Sequence, residues 1–217
     1  CGLCRRKCRF NAIKVINKQY LVDDFSCEGC SVCQYVCPVQ AIVMRPAVAG
    51  KMMLYQAEDV FSTAELKMGS GTSGMLVSAV KKQLIENCSP KIELAIIDGS
   101  PGIGCPVVAS LSGVDMVLIV AEPTLSGISD MKRIIETARK FQTKVVVCIN
   151  KYDTNIKKTE EIEKICLQEK IAVVGKIPFD SNVVLTLNQG RCISEIDCVA
   201  TKAIIKIYDY IIKNLCN

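Results

Sequence analysis

Short apolar runs alternate with amphipathic stretches from about residue 73 onwards. The runs are rich in β-branched residues, are bounded by turn residues and cover residues 92–97, 116–121, 145–149 and 171–177. Such runs are typical of parallel strands covered on both faces. Apolar residues recur at helical spacing between and after them, at Met75, Ala79, Val80 and Leu84; at Ile128, Met131, Ile135 and Ala138; at Ile162, Ile165 and Cys166; and at Val199, Ala203, Ile207 and Ile211. The pattern predicts right-handed βαβ units and an α/β fold with a doubly wound, mostly parallel sheet.

The composition is that of a globular protein. Half of the 217 residues are hydrophobic and 23% are charged, which excludes a disordered chain. The longest apolar run, residues 114–121, contains Asp115 and is far shorter than the roughly 20 residues of a membrane-spanning helix. The sequence opens on Cys-Gly-Leu-Cys, without the basic tip and apolar stretch of a signal peptide. We therefore expect a cytoplasmic protein without a membrane span.

Missing residue types narrow the chemistry further. The chain has no histidine, which excludes an imidazole base, a Ser-His-Asp triad and a His-ligated metal. It has no tryptophan and few aromatic residues, and its net charge is only +5. Because nucleic-acid-binding domains carry extended basic surfaces or stacking platforms, we expect no nucleic-acid partner.

The cysteines are concentrated at one end of the chain. Seven of the 14 lie within the first 37 residues. Residues 27–38 read Cys-x2-Cys-x2-Cys-x3-Cys-Pro, a spacing in which three thiolates bind one iron–sulfur cubane and the fourth binds a second cluster. A Cys4 zinc site is the alternative, although zinc sites usually pair two Cys-x-x-Cys arms across a longer spacer.

The first eight residues repeat the end of this motif. Cys1, Cys4 and Cys8 align with Cys30, Cys33 and Cys37, and the Ala-Ile pair at 12–13 aligns with that at 41–42. The first cysteine of the earlier copy would precede residue 1, so we expect the sequence to be an N-terminally truncated fragment.

The doubled motif resembles the bacterial two-cluster ferredoxins, and we assign residues 1–45 to a small α+β module of that type. The resemblance implies two [4Fe–4S] clusters, one of which lacks a ligand in this sequence. By the cross-over arrangement of that family the complete set is Cys8, Cys27, Cys30 and Cys33, and the other set contains Cys1, Cys4 and Cys37.

Basic residues surround the first copy of the motif. Residues 1–18 contain no acidic residue and hold Arg5, Arg6, Lys7, Arg9, Lys14 and Lys18. These charges could raise the potential of an anionic cluster, dock an acidic partner or form a solvated loop, and the sequence favours none of these over the others. Arg9 also stands where ferredoxins usually have proline.

Polar or turn residues follow each predicted strand of the α/β part. Asp98-Gly99 follows the first, Glu122-Pro123 the second, Asn150-Lys151 the third and Pro178-Phe179-Asp180 the last. Ligands bind at the carboxyl ends of such strands, so these positions predict a binding site.

These segments resemble the MinD/ParA-type P-loop ATPases, and most closely the MinD-superfamily members that contain an inserted two-cluster ferredoxin domain. The resemblance rests on residues 98–141, on Ile-Asn-Lys-Tyr-Asp at 149–153 and on Gly-Lys-Ile-Pro-Phe-Asp at 175–180. It makes residues 46–217 the C-terminal portion of a nucleotide-binding domain whose first strands precede this sequence. Phosphate-loop lysine and water-orienting residues would also lie upstream, because no Gly-x4-Gly-Lys-Ser/Thr occurs here.

The resemblance also implies roles for individual residues. Asp98 would orient Mg²⁺ through water, and the Gly102 amide would sense the γ-phosphate of ATP. Asn150 would read the adenine edge, with Pro178 to Asp180 packing around the base. The segment at 150–153 also matches the guanine-reading Asn-Lys-x-Asp, so the preference for ATP over GTP rests on the resemblance.

The resulting hypothesis is an iron–sulfur-binding ATPase whose nucleotide state controls cluster handling or electron delivery to a redox or metallocluster protein. We expect a homodimer in the full-length protein and no ATP hydrolysis by these 217 residues alone. The alternative is a ferredoxin-type electron carrier with a non-hydrolysing α/β scaffold, and a structural zinc protein is a third possibility. Among the remaining cysteines, Cys148 and Cys166 are predicted to be core residues, and Cys88, Cys192, Cys198 and Cys216 have no metal-like spacing. Cys105 lies near the predicted phosphate site, in a Gly-Ile-Gly-Cys-Pro run that the resemblance makes typical of the family.

Overall fold

The chain forms two compact units, Cys1–Asp98 and Gly99–Asn217, in a computed structural model that describes residues 1–71 and 73–215. Cys216 lies outside the described residues. Within the described residues, no helix combines the length and the apolar character needed to cross a membrane. The assignment of residues 1–45 and 46–217 to separate modules stays a prediction.

The first unit begins with two short helices and a hairpin. Helix α1 (Leu3–Lys7) precedes the antiparallel pair β1 (Ile13–Ile16) and β2 (Gln19–Val22), and α2 (Val32–Tyr35) follows. In this part only Ala12 and Ile13 are buried. So small an apolar core gives little stabilisation, and units of this size usually depend on a metal or a disulfide for stability.

A second hairpin and a long helix complete this unit. Strands β3 (Gly50–Gln56) and β4 (Val60–Leu66) pair antiparallel around a three-residue turn, and α3 (Ser73–Asn87) packs on β4. The Ser62 hydroxyl donates to the Val80 carbonyl of α3 at 2.9 Å. The helix was predicted, whereas the hairpin was not, because its strands lack the uniformly apolar composition of buried parallel strands.

Residues 92–97, predicted to be a strand, have no regular secondary structure. A strand requires a neighbouring strand to accept its backbone hydrogen bonds, and this segment has no such neighbour in the described part of the chain. Its side chains are correspondingly exposed, with Ile96 at 78%. The prediction of a strand here was therefore wrong for this structure.

The second unit is a three-stranded parallel sheet with helices on its faces. Its strands β5 (Met116–Ala121), β6 (Lys144–Asn150) and β7 (Ala172–Ile177) lie in the order β5-β6-β7. Its helices are α4 (Cys105–Leu111), α5 (Leu125–Lys140), α6 (Ile156–Gln168), α7 (Ser181–Asn188) and α8 (Val199–Leu215). The three strands and the helices at α5, α6 and α8 confirm the α/β prediction; α4 and α7 were not predicted.

The core of this unit is built from the predicted periodic positions. Ile128, Met131, Ile135 and Ala138 of α5 and Ile162 and Cys166 of α6 are all buried against the strands. On α8, Ile207 approaches Gly175 so closely that a Cβ there would collide with it. Gly175 also lies next to a register shift between β6 and β7, where the missing side chain lets α8 pack onto the strand.

Two cysteines in this core should resist chemical modification. Cys148 and Cys166 are almost fully buried, and burial raises the pKa of each thiol to about 11. Only the thiolate reacts, so at pH 8 both should react about a hundredfold more slowly with iodoacetamide than a thiol of ordinary pKa. Cys192 is exposed, and the Ser194 hydroxyl lowers its pKa, so it should label before both of them.

Peptide mass spectrometry after a timed iodoacetamide pulse checks this order, and equal labelling of Cys148 and Cys192 would contradict the packing.

The raised pKa values of Cys148 and Cys166 predict that the stability of the fold depends on pH. The folded pKa values lie above the ordinary value of 9.0, so the folded state favours the protonated thiols. The stability that these two thiols contribute is therefore complete below pH 9 and is lost as the pH rises towards 11.

Candidate functional site

The two cysteine motifs have the same local backbone. A residue with left-handed backbone precedes each short helix: Gly2, with φ 73°, precedes α1 and Ser31, with φ 63°, precedes α2. These two residues occupy equivalent positions in the sequence repeat. Asn11 and Gln40, also equivalent, share a left-handed φ of about 50°. A serine and an asparagine in this strained region indicate that the loop geometry itself is required.

The last cysteine of each motif accepts the same hydrogen bond. The backbone N–H of Ala12 donates to Cys8 Sγ at 3.4 Å, and that of Ala41 donates to Cys37 Sγ at 3.3 Å. An N–H aimed at sulfur stabilises the thiolate, and the Ala41 bond is the main reason why the pKa of Cys37 lies below its usual value. The sequence repeat therefore corresponds to a repeat of thiolate-stabilising geometry.

Three cysteines of the second motif influence one another electrostatically. Burial is the main cause of the raised pKa of Cys33, and the nearby Cys27 and Cys30 raise it further. The ligand assignment itself stays a prediction.

The donor set suits iron–sulfur chemistry. All seven N-terminal cysteines are free thiols, and none is buried. Among residues 1–71 and 73–215, no group of three or more Cys, Asp or Glu side chains could hold a single metal ion. A cubane makes a different demand, because each of its thiolate ligands binds a different iron. The open, N–H-lined loops are compatible with such a ligand set.

The carboxyl ends of the three strands in the second unit lie at one edge of the sheet. Ala121 of β5 pairs with Ile149 of β6, and Asn150 pairs with Ile177 of β7. Asn150 and the peptide that leads into Pro178 are therefore neighbours, as the nucleotide-site prediction requires. Lys151, which has a left-handed backbone, forms an ion pair with Glu122 at 2.7 Å and joins the ends of β5 and β6.

Asp153 joins the ends of β6 and β7. Its carboxylate accepts the backbone N–H of Phe179 at 2.8 Å. The Thr159 hydroxyl donates to the carbonyl of Tyr152 at 2.6 Å, which holds the short 3₁₀ turn Tyr152–Thr154 against α6. The segment from Pro178 to Asp180 is thus tied to the residues that follow Asn150.

The Asp180 carboxylate caps a helix. It accepts the Asn182 N–H at 3.0 Å at the start of α7, and this bond is the main cause of its lowered pKa. Cys198 and the Ala200 N–H, at the start of α8, lower the pKa further. Asp180 therefore organises the loop after β7. Its contact with a nucleotide base stays a prediction.

The other two residues predicted to bind the nucleotide, Asp98 and Gly102, belong to different units. Asp98 is the last residue of the first unit and lies in a segment without regular structure. Gly102, in the second unit, has φ 90°, and no atom lies within 4 Å of the position a Cβ would take. This left-handed backbone would strain any other residue, although a side chain would have space.

Removal of the Asp153 carboxylate should loosen the loop after β7. We expect Asp153→Ala to speed hydrogen exchange of the Phe179 amide about tenfold, because a hydrogen bond to a charged group is lost. Asp153→Asn retains an acceptor and should restore much of the protection. Amide exchange measured by NMR checks the order, and equal exchange in all three proteins would contradict the role of Asp153.

Comparisons with known proteins support the α/β architecture. No known protein-family profile matches the chain. The chain is 28% identical over 211 residues to an uncharacterized protein of Methanocaldococcus jannaschii, MJ0578, and covers 70% of that protein. It is 33% identical over 124 residues to an uncharacterized ATP-binding protein of the same organism, MJ0823, covering 56% of this chain and 47% of the relative.

A solved structure shows the fold more directly. The MinD cell division protein of Aquifex aeolicus matches with a TM-score of 0.52 at 22% identity. The match covers 64% of this chain and 61% of the MinD chain. The protein therefore has a MinD-like α/β fold, as predicted, and its parallel sheet has three strands where four were predicted. The chain spans about half of MJ0823 and three fifths of MinD.

Proposed function

We propose that this chain belongs to an iron–sulfur-binding ATPase, in which nucleotide binding and hydrolysis control cluster handling or electron delivery to a metalloprotein. The observation that carries the iron–sulfur half is the repeated cysteine geometry. Two loops of unrelated intervening sequence share a left-handed residue before a short helix and an N–H bond to the last cysteine. Disulfide pairing or core packing of cysteines does not require such a repeat.

The proposed ligands are those of the cross-over arrangement. Cys27, Cys30 and Cys33 with Cys8 would hold one [4Fe–4S] cluster, and Cys1, Cys4 and Cys37 would hold the other with a cysteine from outside these 217 residues. A bound cubane supplies one-electron transfer. The Ala12 and Ala41 amides donate to the sulfur atoms of Cys8 and Cys37, and such hydrogen bonds to ligand sulfurs should raise the cluster potential.

The nucleotide half is supported by the fold and by the ATP-binding relative. Asn150 and Pro178 are neighbours at the edge of the sheet where ligands bind in α/β proteins. Asn150 would contact the adenine edge, and residues 178–180 would pack on the base. Gly102 would offer its backbone N–H to the γ-phosphate, and Asp98 would orient Mg²⁺ through water.

Hydrolysis is proposed for the complete gene product. The 217 residues contain no phosphate-loop motif, so the phosphate-binding lysine would come from elsewhere in that product. ATP would close a cytoplasmic homodimer across the segment after Asp98, and hydrolysis would reopen it. A redox or metallocluster protein would be the partner served.

One observation favours a second candidate, a ferredoxin-type carrier with a non-hydrolysing scaffold. Several polar groups at the strand ends are already engaged within the protein: Lys151 with Glu122, Asp153 with the Phe179 amide and Asp180 with the start of α7. Such internal bonds would stabilise a scaffold without any ligand. ATP binding by the complete gene product distinguishes the two candidates.

Anaerobic reconstitution of the complete gene product tests the proposal. Iron and sulfide are counted per chain, and visible absorption and electron paramagnetic resonance are recorded before and after dithionite reduction. About eight irons and eight sulfides with a reducible cubane signal are expected. Stoichiometric zinc without visible absorption would replace the proposal by the structural zinc alternative.

A further inference from the structure

The two cysteine motifs differ sharply in charge although they share a backbone. The first carries basic residues at positions where the second has neutral ones. Arg5, Arg6, Lys7 and Arg9 align with Gln34, Tyr35, Val36 and Pro38. Because the second motif adopts the same loop and helix without any of these charges, the fold does not require them.

These basic side chains have few partners within the protein. Arg5, Arg6, Lys7 and Arg9 are all exposed. In the described part of the chain, the recorded ion pairs of this segment are limited to Lys14 with Asp23, at 2.5 Å. The Arg6 guanidinium donates to the carbonyl of Cys1 at 3.4 Å. Their field is therefore directed at solvent and at whatever approaches Cys1, Cys4 and Cys8.

An apolar surface lies beside the charges. A groove of about 830 Å³ is lined by residues of α1 and of the β1–β2 hairpin, among them Cys1, Arg5, Arg6, Lys14, Ile16 and Tyr20. Ile16 is 51% exposed and Tyr20 is 47% exposed. Exposed apolar and aromatic side chains next to charged ones are typical of a protein–protein interface.

We propose that this basic face, the exposed Arg5, Arg6, Lys7, Arg9, Lys14 and Lys18 together with the groove that Arg5, Arg6 and Lys14 line, docks the acidic surface of a redox protein. The inference rests on the proposed iron–sulfur function, because the face surrounds three of the assigned cluster ligands. The exposed Ile16 and Tyr20 side chains favour a protein over a nucleic acid, whose backbone offers no apolar counterpart. The patch is also too small for the many phosphate contacts of a duplex.

The expected complex is weak and steered by charge. Interfaces between electron-transfer proteins lie at the low end of buried area, below about 1,200 Å². Complementary charge at such an interface acts mainly on the rate of association and is screened by salt. Binding and electron transfer should therefore be fast at low ionic strength and slow at high ionic strength.

The test uses an acidic flavodoxin as the probe and the complete gene product as the docking protein. Biolayer interferometry measures binding at about 20 mM and about 500 mM NaCl, the range over which surface charges are screened. The first variant combines Arg5→Gln, Arg6→Gln and Lys7→Gln. Its control combines Lys157→Gln, Lys164→Gln and Lys206→Gln, which remove the same charge from exposed helical positions of the other unit.

The variant of the basic face should bind the flavodoxin at least about tenfold more weakly at low salt, whereas the control should change less than about twofold. High salt should abolish the difference. A second variant combines Arg9→Gln with Lys18→Gln and leaves the residues next to Cys4 unchanged. It should also bind the flavodoxin more weakly than the wild-type protein. Equal losses of flavodoxin binding in the variants and the control would overturn the proposal. Tight binding of a 20-base-pair DNA duplex by the wild-type protein, lost in the variants and kept in the control, would also overturn it.

Iron content separates this proposal from the function it rests on. Each variant is reconstituted and its iron counted, while interferometry reports binding without any cluster signal. Salt-dependent binding through the basic face by a protein that takes up no iron would refute the iron–sulfur proposal and leave the docking face intact. Full iron content with binding insensitive to Arg5, Arg6 and Lys7 would refute the docking face alone.

Discussion

Replacing Cys30 by alanine is expected to halve the iron content of the reconstituted complete gene product, from about eight atoms per chain to about four. Cys30 is exposed in a loop that has no other recorded structural role for it, and it lies near Cys33. Loss of one thiolate would leave one cluster with three protein ligands, and exposure to air before desalting should then remove that cluster. Iron and sulfide analysis after desalting gives the measurement.

The matched control is Cys192→Ala. Cys192 is also an exposed free thiol, but it lies in the second unit beside the 3₁₀ turn Ile193–Glu195 and belongs to no predicted ligand set. The control should retain all of its iron. If Cys30→Ala retained the wild-type iron content as well, the assignment of Cys30 as a ligand would be wrong.

Replacing Ile162 by alanine is expected to lower the free energy of unfolding of the second unit by about 2–5 kcal/mol. Ile162 is fully buried in the core cluster between α6 and the sheet, so truncation removes buried methyl groups and leaves a cavity. Urea unfolding followed by circular dichroism measures the change.

Ile156→Ala is the control on the same helix. It makes the same chemical change at an exposed position at the start of α6, where Ile156 is 52% exposed. Its cost should stay below about 1 kcal/mol. Similar losses for the two variants would contradict the packing of α6 against the sheet.

The hydrophobic pattern predicted the α/β unit because each of its elements buries a face. Strands β5, β6 and β7 and helices α5, α6 and α8 lie where period and composition placed them. Residues 92–97 have the same composition but form no strand, since composition does not supply the neighbouring strand that a sheet requires. The β3–β4 hairpin was not predicted, because exposed positions recur along both strands and no continuous apolar run is present.

Some features of the candidate site could be predicted from the sequence, and others could not. Cysteine spacing identified the repeat, and the equivalent left-handed residues Gly2 and Ser31 now give it a structural counterpart. The polar residues that follow the four predicted strands were expected to lie together. Those that follow β5, β6 and β7 do lie at one edge of the sheet. The ion pair between Lys151 and Glu122 could not be predicted, because it depends on the left-handed backbone of Lys151.

The central claim is that iron–sulfur clusters and a nucleotide site act together in one protein. The most direct test compares ATPase rates of the reconstituted complete gene product in its oxidised and dithionite-reduced forms. We predict a full iron complement and a rate that changes several-fold with oxidation state, as expected for coupled sites. A full iron complement with a rate that ignores oxidation state would contradict the coupling, and the absence of any turnover would replace the proposed ATPase by the electron carrier.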